Sequence, residues 1–355
     1  MEIYYIANSI YQFAYALPLY KRCKGTFVVT SKKKLKHFQV HLDGFITDEI
    51  GAKNKLPEVQ LIPREQLNQL KGILVFFANS INPTQDYSGS ITCFYEHGTS
   101  DKRYEGGNSI AIDKLKKYDY LLLSGPKNKH RLIDTNVHRN ENDLIETGCL
   151  RFDDYLQEKF TRDKTANILN IKDRSRKNIL YAPTWKFGNG TFKAYASHLI
   201  EELTKDYNLI LRPHYHDRKY AIFLYWLAKL KGKQHVYFSP PQNVLQHDTY
   251  SAFAVSDLLI SDISSVIYEY LITQKPIVLI DNNFEQRHKM PKKMDILPHV
   301  DVYKKGEDLK QLIKHNLDHP NKETYARLLH HCFYHTEGGA VERLALFLTQ
   351  LKNRK

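Results

Sequence analysis

Short runs rich in Val, Ile, Leu, Phe and Tyr alternate with longer segments of helical spacing along the whole chain, and no fixed-period repeat appears. In the first half, Ile3–Ile6, Thr26–Thr30, Ile73–Ala78, Ile91–Tyr95 and Tyr120–Ser124 predict strands. Between the first two, Asn8-Ser9 forms an N-cap signal ahead of a helix over Tyr11–Arg22. In the second half, Ile179–Ala182, Leu209–Arg212, Val236–Ser239, Asp257–Ser261 and Pro276–Asp281 predict five more strands. These runs are continuously apolar rather than alternating, as expected of strands covered on both faces of a parallel sheet. Strand–helix–strand order with such runs predicts α/β architecture built of doubly wound, Rossmann-like parallel sheets.

At ~150 residues per domain, a chain of 355 residues predicts two domains. The polar stretch Lys164–Asn178 reads as the linker, which divides the chain into residues 1–165 and 166–335. A third element, residues 336–355, contains the amphipathic pattern Ala340–Leu351, with Leu344, Phe347, Leu348 and Leu351 on one face. It is expected to close the structure by packing across both domains. Two α/β halves with such a helix suit a two-domain, glycosyltransferase-like arrangement.

Charge adds a partner class. Lys plus Arg number 52 and Asp plus Glu 39, a net +13, of which +4 lies before residue 171 and +9 after it. Such a surplus points to nucleic acid, an acidic membrane surface or a phosphorylated ligand. No zinc-finger, RNP or helix-turn-helix signature accompanies it, which disfavours nucleic acid. Cys23, Cys93, Cys149 and Cys332 stand far apart, without CxxC or zinc-like spacing, and read as reduced thiols rather than a disulfide framework or a metal site. An acid at Glu2 is unlike a signal peptide, and the longest strongly apolar run, Tyr220–Ala228, is about half the ~18 residues of a membrane span. The expected location is therefore cytoplasmic, with peripheral attachment at the inner face of the membrane open.

Four segments carry candidate chemistry. Asp257–Glu269 runs from a buried strand through Ser261-Asp262-Ile263-Ser264-Ser265 into a helix. A strand-end loop and a helix N-terminus suit a phosphate, and the same serines suit plain helix capping. Arg212-Pro213-His214 also follows a strand, offering a fixed charge and a titratable ring for a transferring phosphoryl group. His97 follows a third strand and opens a loop containing Gly98, Gly106 and Gly107, where it can act as general base or be an ordinary loop residue. In Tyr181-Ala182-Pro183-Thr184-Trp185, either the Thr184 hydroxyl and the indole face a ligand or Trp185 is core.

In their order along the chain, these segments resemble the CDP-glycerol glycerophosphotransferase family of teichoic acid primases and polymerases. The resemblance rests on H-G-T at His97–Thr99, G-x-x-R-x-D at Gly148–Asp153, Y-A-P-T-W at Tyr181–Trp185 and R-P-H at Arg212–His214. It continues through S-D-x-S-S at Ser261–Ser265, K-P-I at Lys275–Ile277 and G-x-x-x-E-R at Gly338–Arg343, and spans roughly residues 91–350. It implies a GT-B-like fold whose second half holds a CDP-alcohol donor. It further implies His97 as base towards an acceptor hydroxyl attacking the β-phosphorus with release of CMP, and His214 with Arg212 at the donor phosphates. Asp262, Ser264 and Ser265 would meet the pyrophosphate, Thr184 and Trp185 the substrate, and Arg343 would sit at the start of the closing helix as a further substrate contact. No cofactor is implied besides the nucleotide donor, and a metal requirement is left open.

Three departures fall in the first half. Glu96 stands where the family has Trp, Leu150 replaces a proline, and Ser100-Asp101-Lys102 lacks the customary proline-leucine. A carboxylate beside His97 either raises its pKa or marks altered acceptor recognition. The leading expectation is transfer of glycerol phosphate, or a related polyol phosphate, to a surface polymer or lipid-linked precursor. A nucleotide-sugar-dependent glycosyltransferase of the same fold and a non-catalytic glycan or membrane-surface binding protein are the alternatives. Two basic stretches, Ser31–Lys36 and Arg287–Lys293, are candidates for contact with an anionic leaflet or simply solvated surface.

Overall fold

A computed structural model of the chain describes residues 1–42, 58–102, 109–185, 189–282 and 287–353. It divides into two units. The first comprises Met1–His97, Tyr104–Leu156 and Phe333–Lys355, the second Gly98–Arg103 and Gln157–Cys332.

The first unit carries strands β1 (Glu2–Ile6), β2 (Thr26–Val29), β3 (Val59–Leu61), β4 (Gly72–Phe76), β5 (Ile91–Tyr95), β6 (Tyr120–Leu123) and β7 (Leu144–Glu146). They form one sheet in the order β3-β2-β1-β4-β5-β6-β7, every pair parallel. Its helices are α1 (Ile10–Cys23), α2 (Lys32–Leu42), α3 (Ser109–Lys117), α4 (Pro126–Asp134), α5 (Leu150–Leu156) and the C-terminal helix Ala340–Asn353. Successive side chains of β2 and β4 are buried throughout, so both faces are covered and the continuous apolar runs have their cause.

The second unit carries β8 (Asn178–Tyr181), β9 (Asn208–Leu211), β10 (Val236–Phe238), β11 (Leu258–Ser261), β12 (Ile277–Ile280) and β13 (Asp301–Tyr303). The order β10-β9-β8-β11-β12-β13, again all parallel, is doubly wound. Helices α6 (Arg162–Ile168), α7 (Phe192–Leu203), α8 (Arg218–Leu230), α9 (Thr249–Val255), α10 (Val266–Glu269), α11 (Leu309–Asp318) and α12 (Lys322–Cys332) surround it. Ile179, Leu199, Leu209, Leu224, Ile260 and Val278 share its core. In such an order the chain turns in opposite directions after β8 and β11, which leaves a crevice for a ligand at their carboxyl ends.

The expected domain limits shift for identifiable reasons. The boundary lies at Leu156/Gln157 rather than 165/166, because α6 packs on α9 and Arg162 grips the second unit. Its guanidinium donates to the Val255 carbonyl at 3.0 Å and to Asp257 at 2.9 and 3.0 Å. The stretch taken as linker thus begins inside a helix. The K-P-I segment also serves this edge: Lys275 Nζ donates to the carbonyls of Phe253, Ala254 and Ser256, at the end of α9, at 3.2, 3.2 and 2.6 Å.

The C-terminal helix, expected to pack across both domains, packs on α1, α5 and β4 of the first unit. Its apolar face is the one the spacing predicts, with Leu344, Leu348 and Leu351 buried and Phe347 edge-on to Tyr120 at 5.1 Å. Two motifs of the resemblance meet here. Asp153 accepts from the backbone N–H groups of Ala340 and Val341 at 3.1 and 2.8 Å, capping the helix N-terminus. Arg343 returns the contact, donating to the carbonyls of Thr147 at 3.1 Å and Gly338 at 2.6 Å. Gly148 lies between, at φ +83, where a Cβ would come within 3.0 Å of the Tyr334 carbonyl oxygen.

The substitution Asp153→Ala leaves two N–H groups at that helix start without their acceptor. It should lower the unfolding free energy by about 1–3 kcal/mol, read as a lower urea midpoint, with Asp153→Asn losing less.

Candidate functional site

The second unit organises its strand-end crevice around Asp262, fully buried just after β11. Its carboxylate accepts from the Thr184 N–H at 2.8 Å and from the Thr191 N–H and hydroxyl at 2.9 and 3.0 Å. Thr184 follows β8 and Thr191 immediately precedes α7, so one side chain binds the loop of the neighbouring strand at both ends. Burial raises its pKa, and the three hydrogen bonds and Lys102 oppose the rise. The expectation that Asp262 meets a pyrophosphate therefore gives way to a scaffolding position: an acceptor-only carboxylate repels phosphate but is well suited to N–H groups. Ser261 completes the tie by donating to the Ala182 carbonyl at 2.8 Å.

Lys102 is the residue that sequence reasoning missed. Its ammonium donates to the Thr184 hydroxyl at 2.7 Å, and burial lowers its pKa against the upward pull of Asp262. A cation thus lies among the residues of the crevice. Its signal was available three residues after the H-G-T motif, in a stretch read only for the proline and leucine it lacks. Asp101 beside it is buried, accepts from the Tyr268 hydroxyl at 2.8 Å and pairs with Arg287 at 3.5 Å. Arg287 also forks onto Asp295 at 2.7 and 2.9 Å, so this first residue of the second basic stretch is held within the unit.

Ser264 and Ser265 lie at the entry to α10. Ser265 is its N-cap residue without a side-chain capping bond, which removes the plain capping role. Its hydroxyl lies against Gly98: a Cβ built on Gly98 would approach Ser265 Oγ to 2.7 Å, and Gly98 holds φ +98. Only glycine fits that approach and that backbone angle. Glu269, buried at the end of α10, accepts from the Tyr250 hydroxyl at 2.9 Å, a second member the sequence reading left without a role.

Arg212 is buried, with bonds to Ser239 Oγ at 2.8 Å, the His247 carbonyl at 2.7 Å and Thr249 Oγ1 at 2.9 Å. It braces the loop after β10 against the start of α9, a positioning place. Burial, assisted by the Arg212 charge, lowers the His247 pKa to about 4. His214 is half-buried and starts the short 3-10 turn Tyr215–Asp217, its Nδ1 accepting from the His216 N–H at 3.3 Å. Trp185 joins this cluster, its ring 5.9 Å from His214 and 5.0 Å from His216. The indole is thus beside the R-P-H histidine rather than in the core.

His97 and Arg343 belong to the first unit. Arg343 is engaged with the Thr147 and Gly338 carbonyls described above. His97 follows β5, half-buried, with Nδ1 hydrogen-bonded to the Phe77 carbonyl and the Tyr11 ring 5.1 Å away. A carbonyl only accepts, so Nδ1 carries the proton and neutral His97 presents a lone pair on Nε2. For His214 the logic reverses: its Nδ1 accepts from an amide, so the neutral ring carries its proton on Nε2. Burial holds the His97 pKa below the ordinary 6.5, while the Phe77 bond and the Glu96 charge pull upward. Glu96 raises the pKa as a neighbouring carboxylate must, but burial prevails. Its charge is engaged by Arg131 at 2.7 and 2.8 Å and by Asn128 at 2.9 Å. Gly106 and Gly107 lie outside the described residues. Among the described residues no group of three or more His, Cys, Asp or Glu side chains is arranged to hold a metal ion.

Known proteins extend these observations. The teichoic acid poly(glycerol phosphate) polymerase of Bacillus subtilis is 28% identical over 199 residues, which is 53% of this chain and 24% of that protein. The teichoic acid glycerol-phosphate transferase of Staphylococcus aureus is 27% identical over 192 residues, 50% of this chain and 44% of that protein. The chain thus spans less than half the length of the curated relatives it matches. A solved structure of the wall teichoic acid polymerase TagF aligns with a TM-score of 0.65 at 19% identity, covering 100% of this chain and 90% of that one, a likeness of fold. The family model for CDP-glycerol:poly(glycerophosphate) glycerophosphotransferases matches residues 92–350, a span containing every motif discussed above. On that match the chain belongs to the CDP-glycerol:poly(glycerophosphate) glycerophosphotransferase family.

Proposed function

We propose that this chain transfers glycerol phosphate, or a related polyol phosphate, from a CDP-activated donor to a hydroxyl of a cell-surface polymer or its lipid-linked precursor. The second unit takes the donor and the first presents the base for the acceptor. The acceptor hydroxyl attacks the β-phosphorus, its proton passes to His97 Nε2, and the bond to the CMP oxygen breaks with release of CMP. His214 donates from Nε2 to a phosphate oxygen as charge develops there. Lys102, Thr184, Ser264 and Ser265 supply a cation and hydroxyl donors to the same phosphates, while Asp262 and Arg212 hold the loops that carry them. Trp185 lies beside His214 and His216. Phosphoryl transfer chiefly asks for this combination of positioning and charge stabilisation.

The observation that carries the reading is the pair of opposed histidine tautomers, Nδ1–H at His97 and Nδ1 acceptor at His214. One ring is prepared to take a proton and the other to give a hydrogen bond, which is what attack and charge neutralisation respectively require. A non-catalytic binding protein has no need of that division. The described residues contain no helix long and apolar enough to cross a membrane. A cytoplasmic place at the inner face of the membrane is part of the proposal, since lipid-linked acceptors are found there.

Incubation with CDP-glycerol and a lipid-linked glycan acceptor should release CMP; release of nucleotide from UDP-sugars alone would overturn the reading. His97→Ala should lower kcat by roughly 10²–10⁴-fold with donor affinity retained, measured by CMP release and by donor titration. Because the His97 pKa lies below 6.5, the active neutral form persists on mild acidification. The acid limb of kcat/KM should therefore fall below the ordinary histidine range, and a limb above pH 7 would assign the base elsewhere. Lys102→Met should raise the donor KM by about tenfold or more through loss of a charge-assisted contact, with Thr184→Val acting in the same direction.

A further inference from the structure

Next to His97 runs a chain of polar side chains that the transfer step does not use. Ser124 Oγ donates to Asn128 Oδ1 at 2.6 Å, and Asn128 Nδ2 donates to Glu96 Oε2 at 2.9 Å. Arg131 closes the chain, its Nη1 reaching both Glu96 oxygens at 2.8 and 2.7 Å. Asn128 and Arg131 stand three apart on the buried face of α4, the spacing at which helical side chains are neighbours. The Ser124 hydroxyl takes the carbonyl end of the Asn128 amide, so its NH2 end is turned to Glu96.

The Arg131 side chain is 2% exposed and that of Glu96 18%. An arginine this deep does not touch an acceptor; it acts through the carboxylate it holds. Phe94, Leu121, Leu123 and Leu132 are buried around the pair, an apolar setting that strengthens its electrostatics. As a mere tie, the pair would be replaceable by well-packed apolar side chains, because a buried ion pair recovers little more than its own desolvation. Its place at the end of β5 gives it a second task. Glu96 and His97 are consecutive, yet Glu96 reaches α4 while His97 meets the Phe77 carbonyl after β4 and the Tyr11 ring of α1. Among the described residues, Glu96 is the charged group that acts on the His97 ring, pulling its pKa up against burial. Its counter-charge comes from α4, which buries Lys127 as well as Arg131. A carboxylate left without that counter-charge would stabilise the imidazolium and remove the lone pair that a base needs.

We propose that Arg131 is a positioning residue for the transfer reaction: by pairing with Glu96 it fixes the end of β5 and keeps the neighbouring carboxylate from holding His97 as an imidazolium. This rests on the reading of His97 as base, so the ring itself is followed as well as turnover. In the full chain with isotope-labelled histidine, the His97 ring is titrated by NMR and assigned through His97→Gln. Arg131→Met should move that titration upward, and the acid limb of kcat/KM for CMP release should move with it. At about pH 6, kcat/KM should fall by roughly fivefold or more against the parent, the loss shrinking as the pH rises. Arg131→Lys keeps the charge and should restore part of the difference.

Glu96→Gln combined with Arg131→Met removes both charges at similar volume and should return ring and limb to the parent's position or below it. The double variant also covers the case in which Arg131→Met alone does not fold, since a buried charge without its partner is destabilising and a neutral pair is tolerated. A ring that titrates higher in the double variant than in the parent overturns the proposal. So does an unmoved ring in Arg131→Met, or an equal loss of kcat/KM at every pH, either of which makes Arg131 a structural tie. If the parent releases no CMP while the ring moves as expected, the transfer reading falls and the control of His97 by Arg131 and Glu96 stands.

Discussion

The second unit depends on one buried carboxylate. Asp262 sits where the chain direction reverses after β8 and β11, and there it accepts the Thr184 and Thr191 N–H groups and the Thr191 hydroxyl. A charge this deep is tolerated because every bond it makes favours the ionised form and because the Lys102 ammonium lies within its field. Without it, both ends of the loop after β8 lose their acceptor together and the crevice loses its shape. The consequence is a division of labour along S-D-x-S-S: the acid builds the wall, and the serines beyond it remain at the entry to α10.

The same economy of placement governs the first unit, where a second carboxylate has the equivalent task. Asp153 caps the C-terminal helix while Arg343 of that helix reaches back to the Thr147 carbonyl, so two short motifs nearly two hundred positions apart are one structural clamp. Motif residues that look alike in a sequence, a charged side chain beside a glycine, thus separate into those that close the fold and those that are left for chemistry. The histidines are the ones proposed for chemistry, and the backbone chooses their tautomers: a carbonyl for His97, an amide for His214.

The fold was legible in the sequence to the extent that burial on both faces writes itself as an apolar run. Ten strands are marked in this way and appear where expected; β3, β7 and β13 are not marked. Each of those three is three residues long, lies at a sheet edge with a single neighbour and is only partly buried, so no run forms. The domain limit was misplaced because polarity was taken for a linker, whereas Arg162 and Asp257 make a polar segment part of a packed edge. At the site, the histidines and serines were recognisable by position after a strand. The placing of Lys102 against Thr184, and of Asp262 beneath them, was not, since it arises from three chain segments that only the tertiary fold brings together.

The surplus of +13 also changes meaning once each charge has a place. The buried arginines are internal fasteners: Arg131 on Glu96, Arg151 on Asp154 and the Ala14 carbonyl, and Arg212 on the His247 carbonyl. A planar, always-charged fork suits that task, because it satisfies several acceptors in one fixed geometry and keeps its proton when desolvated. The lysines divide differently. Lys102 and Lys275 are drawn inside, where burial lowers their pKa, that of Lys275 to about 8. Lys32, Lys33, Lys36, Lys219 and Lys231 stay in solvent. These surface lysines offer an anionic partner a mobile and well-hydrated charge that attracts without imposing a geometry. Such charges alone discriminate poorly among anions. Selectivity at the surface has to come from whatever apolar area adjoins them.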